Sequence, residues 1–347
     1  RGEPLPPELA ATEGFVWRHT RLPTSHPWGR LAWEQIVQPF ELLRSGAQLV
    51  HAPAYVGPLV SPCPFVLTVH DLSFLRLPEA FNRLNRLYLA TLTRLSARRA
   101  RRIIAVSKFT RSDVVRLLGV PPERIDVIYH GIEPTFQRVA DADELAAFRR
   151  RQGLNGDYLL YLGTLEPRKN VETLVQAYAQ ARQKLGLRHQ LVLAGGRGWR
   201  DARIFELVGA LKLEDQVLFA GFVPFAEQPY WYSAATAFVY PSRLEGFGFP
   251  ILEAMACGTP VITSNQSALP EIAGDAALFV APDDVTGLAL AMSRLVEDRQ
   301  LAADLRERGL RRAAAFSWAV AAQRTEQVYE CSLELRAALE EEPLRTT

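Results

Sequence analysis

The chain has 347 residues, 40 Lys+Arg against 38 Asp+Glu for a net charge of +2, and 48% hydrophobic residues. That length favours two domains over one and supplies apolar material for two cores. The near-neutral balance excludes a general nucleic-acid binder, but the charge is uneven: residues 1–150 hold 20 basic and 14 acidic residues (+6), the remainder 20 and 24 (−4), so a local anionic partner is expected. Cys63, Cys257 and Cys331 are far apart, and the six histidines fit no metal-ligand spacing. No apolar run is long enough to span a bilayer and no signal-peptide pattern is present, so a cytoplasmic location is expected.

Residues 1–45 are poor in strand signals. Beyond them, short apolar runs predict strands at 49–51, 65–69, 103–106, 127–129, 159–162, 190–193, 217–219, 237–239, 260–263 and 277–280. Helical periodicity predicts helices at 83–100, 108–118, 171–184, 202–211, 251–256 and 285–295, and a long run from Ser317, a candidate N-cap, to about residue 339. Alternating β and α at this spacing argues for an α/β fold of parallel sheets covered by helices with right-handed crossovers. The division is expected between Pro134 and Gly156. Residues 1–140 would form one Rossmann-like domain, and 154–316 a second. Residues 317–340 would form a helix returning to the first.

The segment Glu245-Gly246-Phe247-Gly248-Phe249-Pro250-Ile251-Leu252-Glu253 carries the strongest chemical signal. Two carboxylates flank a Gly-Phe-Gly turn, and Pro250 suits a first helical turn. Free N–H groups at such a helix start attract an anion, usually phosphate. The bland alternative makes Glu253 a first-turn acid favoured by the helix dipole and Glu245 a turn residue. Arg168-Lys169 lies between a strand and a helix, at the carboxyl edge of a parallel sheet where ligands bind. A cation at a helix start is disfavoured unless an anion offsets it, so a phosphate is expected there, with Lys169 preferred over Arg168. His70 ends an apolar strand and precedes Asp71, which either orients the imidazole or caps the next turn.

Several weaker signals remain. Ala194-Gly195-Gly196-Arg197-Gly198-Trp199 has the wrong spacing for a dinucleotide fingerprint and reads as a loop near a nucleotide. Gly221-Phe222-Val223-Pro224 also follows a strand. His130 ends a strand near the interdomain link, with its role open. Asp141-Ala142-Asp143 fits a metal-binding Asp-x-Asp pattern, but it precedes a helical run, and helix capping is the expected role. Arg83–Arg102 holds seven arginines with Leu84, Leu87, Tyr88, Leu92 and Leu95 as a stripe. That stripe faces either the core, leaving a solvated basic side, or an anionic membrane.

Residues 245–253 resemble the Glu-x7-Glu motif of retaining GT-B glycosyltransferases of family 4 (glycosyl transferases group 1). Tyr161-Leu162-Gly163-Thr164-Leu165-Glu166-Pro167-Arg168-Lys169-Asn170 resembles that family's phosphate-binding strand-loop-helix. Val69-His70-Asp71 resembles its amino-domain histidine motif. The resemblance covers nearly the whole chain and implies two Rossmann-like domains facing a cleft. It departs in two places. Thr164 stands where many members carry arginine, and no first strand, glycine-rich loop and helix are legible, so the amino domain is expected to lack that unit.

The resemblance further implies His70 and Glu245 as catalytic residues, and Glu245, Gly246 and Phe247 as donor-sugar ligands. Arg168, Lys169, Gly248 and Phe249 would hold the diphosphate, Glu253 the ribose, and Phe222 and Val223 the base pocket. No essential metal is expected. The wording most resembles bacterial mannosyltransferases, so the expectation is retaining hexosyl transfer from GDP-mannose to a glycan or lipid-linked acceptor. The site would lie at the inner membrane face if the arginine-rich helix docks there. The alternatives are a nucleotide-sugar epimerase of the same fold and a non-catalytic sugar-nucleotide-binding subunit.

Overall fold

The structure is a computed structural model and describes residues 12–16, 20, 24, 26–154, 156–199 and 201–340. Among these residues it holds two parallel sheets. The first runs β1 (Val50–Ala52), β2 (Phe65–Val69), β3 (Arg102–Ala105), β4 (Ile125–Val127), in that spatial order. The second contains β5 (Tyr158–Leu162), β6 (Gln190–Ala194), β7 (Val217–Gly221), β8 (Ala237–Tyr240), β9 (Val261–Ser264) and β10 (Ala277–Val280), ordered β10-β9-β8-β5-β6-β7. Strands β2 and β5 are buried along their whole lengths, as parallel strands covered on both faces must be.

The helices of the first unit are α1 (Pro27–Ala32), α2 (Gln38–Ser45), α3 (Ser73–Arg76), α4 (Arg83–Arg99) and α5 (Lys108–Asp113). Helix α6 (Ala142–Arg151) follows β4. In the second unit lie α7 (Val171–Leu185), α8 (Ala202–Ala210), α9 (Gln228–Ala234), α10 (Phe249–Ala256), α11 (Leu269–Ala273), α12 (Val285–Glu297) and α13 (Arg299–Ala314). The last helix, α14 (Trp318–Glu340), returns to the first sheet. There Ala321 and Val328 pack on Val66, Ile104 and Ile128, and His51 joins Tyr329 to Thr68 through bonds of 2.6 and 2.7 Å.

Asp141 caps α6: its carboxylate accepts from the N–H groups of Asp143 and Glu144 at 2.9 and 3.1 Å. Helix α6 packs on the second unit, where Phe148 meets Trp231 edge to face. The two chain crossings between the units run side by side. Ile132 N donates to Phe316 O at 3.2 Å, and a Cβ on Gly131 would fall 2.1 Å from Trp318 N.

Two expectations for the arginine-rich segment are corrected. The helix ends at Arg99, and Arg102 opens β3, where its guanidinium grips Asp126 at 2.6 and 2.9 Å. The leucine stripe does not face the core: Leu84 and Leu87 are 76% and 65% exposed. The small side chains of Thr93, Ser96 and Ala97 are buried instead, because Gly57 approaches the helix closely and donates its N–H to Ser96 Oγ. Among the described residues no helix is long and apolar enough to cross a membrane.

Candidate active site

In the six-stranded sheet the direction of winding reverses between β5 and β8. An open α/β sheet forms its ligand crevice outside the carboxyl ends of the strands at such a point. Residues 163–170 leave β5 there, and residues 241–249 leave β8. Both halves of the expected site therefore meet across one crevice.

Glu245 is the centre of this meeting and is only 7% exposed. Its Oε1 accepts from Lys169 Nζ (2.8 Å), Tyr240 OH (2.9 Å) and Ser242 Oγ (2.7 Å), while Arg168 Nη1 reaches Oε2 at 3.3 Å. Burial alone would raise its pKa. The charges of Lys169 and Arg168, with hydrogen bonds from Lys169 and Ser242, outweigh burial and hold the carboxyl below its ordinary value. Burial also works against the Arg168 charge, but Glu245 and Glu166 reverse the direction and raise it. Burial and the Glu245 charge raise the Tyr240 phenol well above its ordinary value, so it remains a donor.

Glu253 lies two turns away in another environment. Tyr232 OH donates to its Oε2 at 2.9 Å. Burial pushes its pKa up to about 7, and the tyrosine bond offsets this only in part. Between the two acids, Gly248 holds the left-handed conformation (φ 111°) as N-cap of α10, with no side-chain cap. The N–H groups of Gly248, Phe249 and Ile251 consequently have no acceptor within the helix.

The same loop docks on the first unit. A Cβ on Gly246 would fall 1.7 Å from His70 O, so only glycine permits this backbone contact. Gly246 O accepts from Ser107 Oγ (2.6 Å) and Thr110 Oγ1 (3.2 Å). His70 leaves the carboxyl end of β2, and its Nε2 donates to Pro53 O at 2.8 Å. Asp71 caps the next turn, accepting from Ser73 N at 2.8 Å. The His70 ring stacks on His130, which also stacks on Phe249 and meets Phe247 and Trp318. Burial, with the nearby His70, pushes the His130 pKa down to about 4, so this ring is neutral at neutral pH.

The structure thus brings together His70, Arg168, Lys169, Glu245, Gly246, Phe247, Gly248 and Phe249. Glu253 stands behind them on α10. Phe222 and Val223 lie apart, after edge strand β7, with Phe222 79% exposed and the Val223 side chain buried in the core. Sequence reasoning missed Tyr240, Ser242, Ser107, Thr110 and Glu271. Glu271 of α11 caps α5 across the units, accepting from Lys108 N (2.8 Å), Phe109 N (3.1 Å) and Tyr129 OH (2.7 Å). Only Ser107 had a local signal, as a serine between a strand and a helix. Among the described residues no group of His, Cys, Asp and Glu is arranged to hold a metal ion.

The family models for glycosyl transferases group 1 and Glycosyltransferase Family 4 match residues 146–312 and 2–136. The O-antigen chain mannosyltransferase B of Escherichia coli is 37% identical over 265 residues, covering 76% of this chain and 70% of that protein. D-inositol 3-phosphate glycosyltransferase 1 of Catenulispora acidiphila is 30% identical over 355 residues, covering 95% and 84%. The solved structure of sucrose-phosphate synthase from Thermosynechococcus elongatus matches with a TM-score of 0.72 at 28% identity, covering 87% and 77%. Two parallel-sheet units that meet at the Glu245 loop and these similarities together make the chain a GT-B glycosyltransferase of family 4, the glycosyl transferases group 1.

Proposed function

We propose that the protein transfers mannose from GDP-mannose, with retention, to a glycan or lipid-linked acceptor of surface-polysaccharide type. The observation that carries this reading is the Glu245 carboxylate, held ionised by Lys169 and Arg168 in a loop that also abuts His70. The mannosyl and polysaccharide assignment is supported by the relative named O-antigen chain mannosyltransferase B.

Glu245, with the backbone at Gly246 and Phe247, orients the donor hexose. Lys169 takes the diphosphate ahead of Arg168. Its ammonium has three hydrogens, of which Tyr240 and Glu245 occupy two. Arg168 is committed to Glu166, Leu244 O and Glu245, and braces the loop. The uncapped N–H groups at Gly248 and Phe249 add to the positive field. Glu253 accepts the ribose hydroxyls, and the backbone at Phe222 and Val223 borders the base.

The C1–O bond to the diphosphate breaks as the acceptor oxygen forms its bond to C1 on the same face. The acceptor hydroxyl proton passes to the departing diphosphate oxygen. Lys169 and the helix start stabilise the charge that develops there, so no metal is required. His70, anchored through Nε2 to Pro53 O, offers Nδ1 toward the sugar. The exposed Leu84, Leu87 and Leu95, with Arg83, Arg86, Arg94 and Arg98 on the same helix, dock on anionic lipid at the inner membrane face.

Titration with GDP, UDP and ADP, for the wild type and Glu253→Ala, tests the donor. GDP binding that is selective and lost in the variant supports the reading; selective UDP or ADP binding overturns the GDP assignment. Transfer abolished by EDTA and restored by manganese would overturn metal independence. Cosedimentation with anionic but not zwitterionic vesicles is expected, and equal binding to both sinks the membrane contact.

A further inference from the structure

His130, whose role its place in the sequence leaves open, follows β4 at the carboxyl edge of the four-stranded sheet, the edge from which His70 leaves β2. Its main chain is pinned where the chain crosses between the units. Ile132 N donates to Phe316 O, and a Cβ on the adjacent Gly131 would fall 2.1 Å from Trp318 N. The half-buried ring meets four others. It stacks on His70 (centroids 5.5 Å apart, planes inclined by 23°) and on Phe249 (5.0 Å, 17°). Phe247 meets it edge to face at 5.1 Å, and Trp318 lies tilted at 5.4 Å. His130 is therefore the ring that joins the His70 imidazole to both phenylalanines of the Glu245 loop.

Three contacts set the His70 ring. Pro53 O accepts from its Nε2 at 2.8 Å, Tyr55 presents an edge at 6.0 Å, and His130 stacks on its face. Pro53 and Tyr55 follow β1 in the same unit, and of the three His130 is the one that also stacks on a ring of the second unit. A single hydrogen bond leaves an imidazole free to swivel about it, and a stacked face removes that freedom. The contact uses the faces of the His130 ring. Among the described residues neither of its nitrogens has a hydrogen-bond partner. Burial and the nearby His70 hold its pKa at about 4, so at neutral pH the stack does not set two cations face to face.

We infer that His130 is a positioning residue for transfer: the flat face of its ring carries the seating of the Glu245 loop to the His70 imidazole and fixes the angle at which His70 faces the donor. The inference rests on the transferase reading and adds a residue to it. His130→Leu keeps the bulk without the flat face, and His130→Phe keeps both. Transfer from GDP-mannose to mannotriose is measured for the wild type and both variants, with melting temperatures to show that each is folded. In His130→Leu, kcat should fall about tenfold, the worth of one lost aromatic pair, with the donor KM little changed. His130→Phe should restore most of that loss. A wild-type kcat in His130→Leu overturns the inference, because the ring is then mere filling. So does a loss carried by KM alone, or a kcat loss that His130→Phe does not restore, since the nitrogens are then the active part. The His70 Cε1–H NMR signal, identified by its absence in His70→Gln, reads the same contact without turnover. It should lose its ring-current shift in His130→Leu and keep one in His130→Phe, and an unmoved signal in His130→Leu overturns the inference as well. A wild type that transfers nothing from GDP-mannose counts against the proposed function alone, and the NMR comparison still decides whether His130 sets the His70 ring.

Discussion

Glu245 and Glu253 have the same side chain and end opposite sides of one short segment, yet the fold drives them to opposite states. Glu245 is buried beside two cations, and the attraction outweighs the burial. Glu253 is half-buried with its carboxyl against a tyrosine hydroxyl, and desolvation of that carboxyl wins. The front of the segment therefore carries a fixed charge and touches both units. The back carries a charge that depends on pH and stays within one unit. Burial by itself does not decide protonation; the nearest countercharge does.

Removing the front carboxylate breaks the comparison most severely. Glu245→Ala leaves the half-buried Lys169 without its countercharge, while Arg168 keeps Glu166 and Leu244 O, at a cost of about 3 kcal/mol. Thermal unfolding should show this loss, and a melting temperature equal to the wild type's would contradict the ion-paired state. Gly246→Ala comes next. Its Cβ is 1.7 Å from His70 O, so the loop cannot seat on the first unit. Transfer should fall about 100-fold through misplacement of the reacting groups. Nucleotide affinity, which the proposed function assigns to the other unit, should be little changed, and a parallel loss of both would show that the front and back do not separate.

The back responds to pH. The folded Glu253 pKa of about 7 lies above its ordinary 4.5, so the folded state holds a proton that the unfolded state releases in that window. The contribution to stability is full below about 4.5 and is lost as pH rises through about 7. Glu253→Gln should flatten this slope and raise the melting temperature at pH 8. Nucleotide affinity should fall about tenfold at the same pH, from loss of a charged acceptor. A variant with unchanged slope would place the titration elsewhere. The smallest effect is expected at Glu271→Ala, which removes a helix cap between the units without touching the segment. It should cost about 1 kcal/mol in unfolding measurements, and a cost as large as that of Glu245→Ala would move the main interdomain anchor to α11.

Much of this molecule is legible in its amino-acid sequence. The strands are continuous apolar runs because parallel strands are covered on both faces, and that local property needs no partner to be read. Gly246, Gly248 and Pro250 announce a turn into a helix start, and Asp141 announces a cap. The partners of those residues are not legible. Tyr240 and Ser242 belong to a strand and its exit and look like core and turn. Glu271 lies 163 residues from Lys108, whose N–H it accepts. The leucines of α4 mislead for a related reason. Helical spacing shows that residues share a face but not which face a neighbour covers, and the close approach of Gly57 buries Ser96 and Ala97 instead.

The sequence by itself determined the alternation of strand and helix, the two sheets that follow from it, and the carboxylate and cation motifs at strand ends. These depend on periodicity and backbone preference within a few residues. Only the tertiary structure decided that Glu245 is charged and Glu253 poised to titrate, and that Gly246 rests on His70. Charge state and contact depend on burial and on groups remote in the chain, and those are set only when the reversal of winding at β5 and β8 and the return of α14 bring distant segments together.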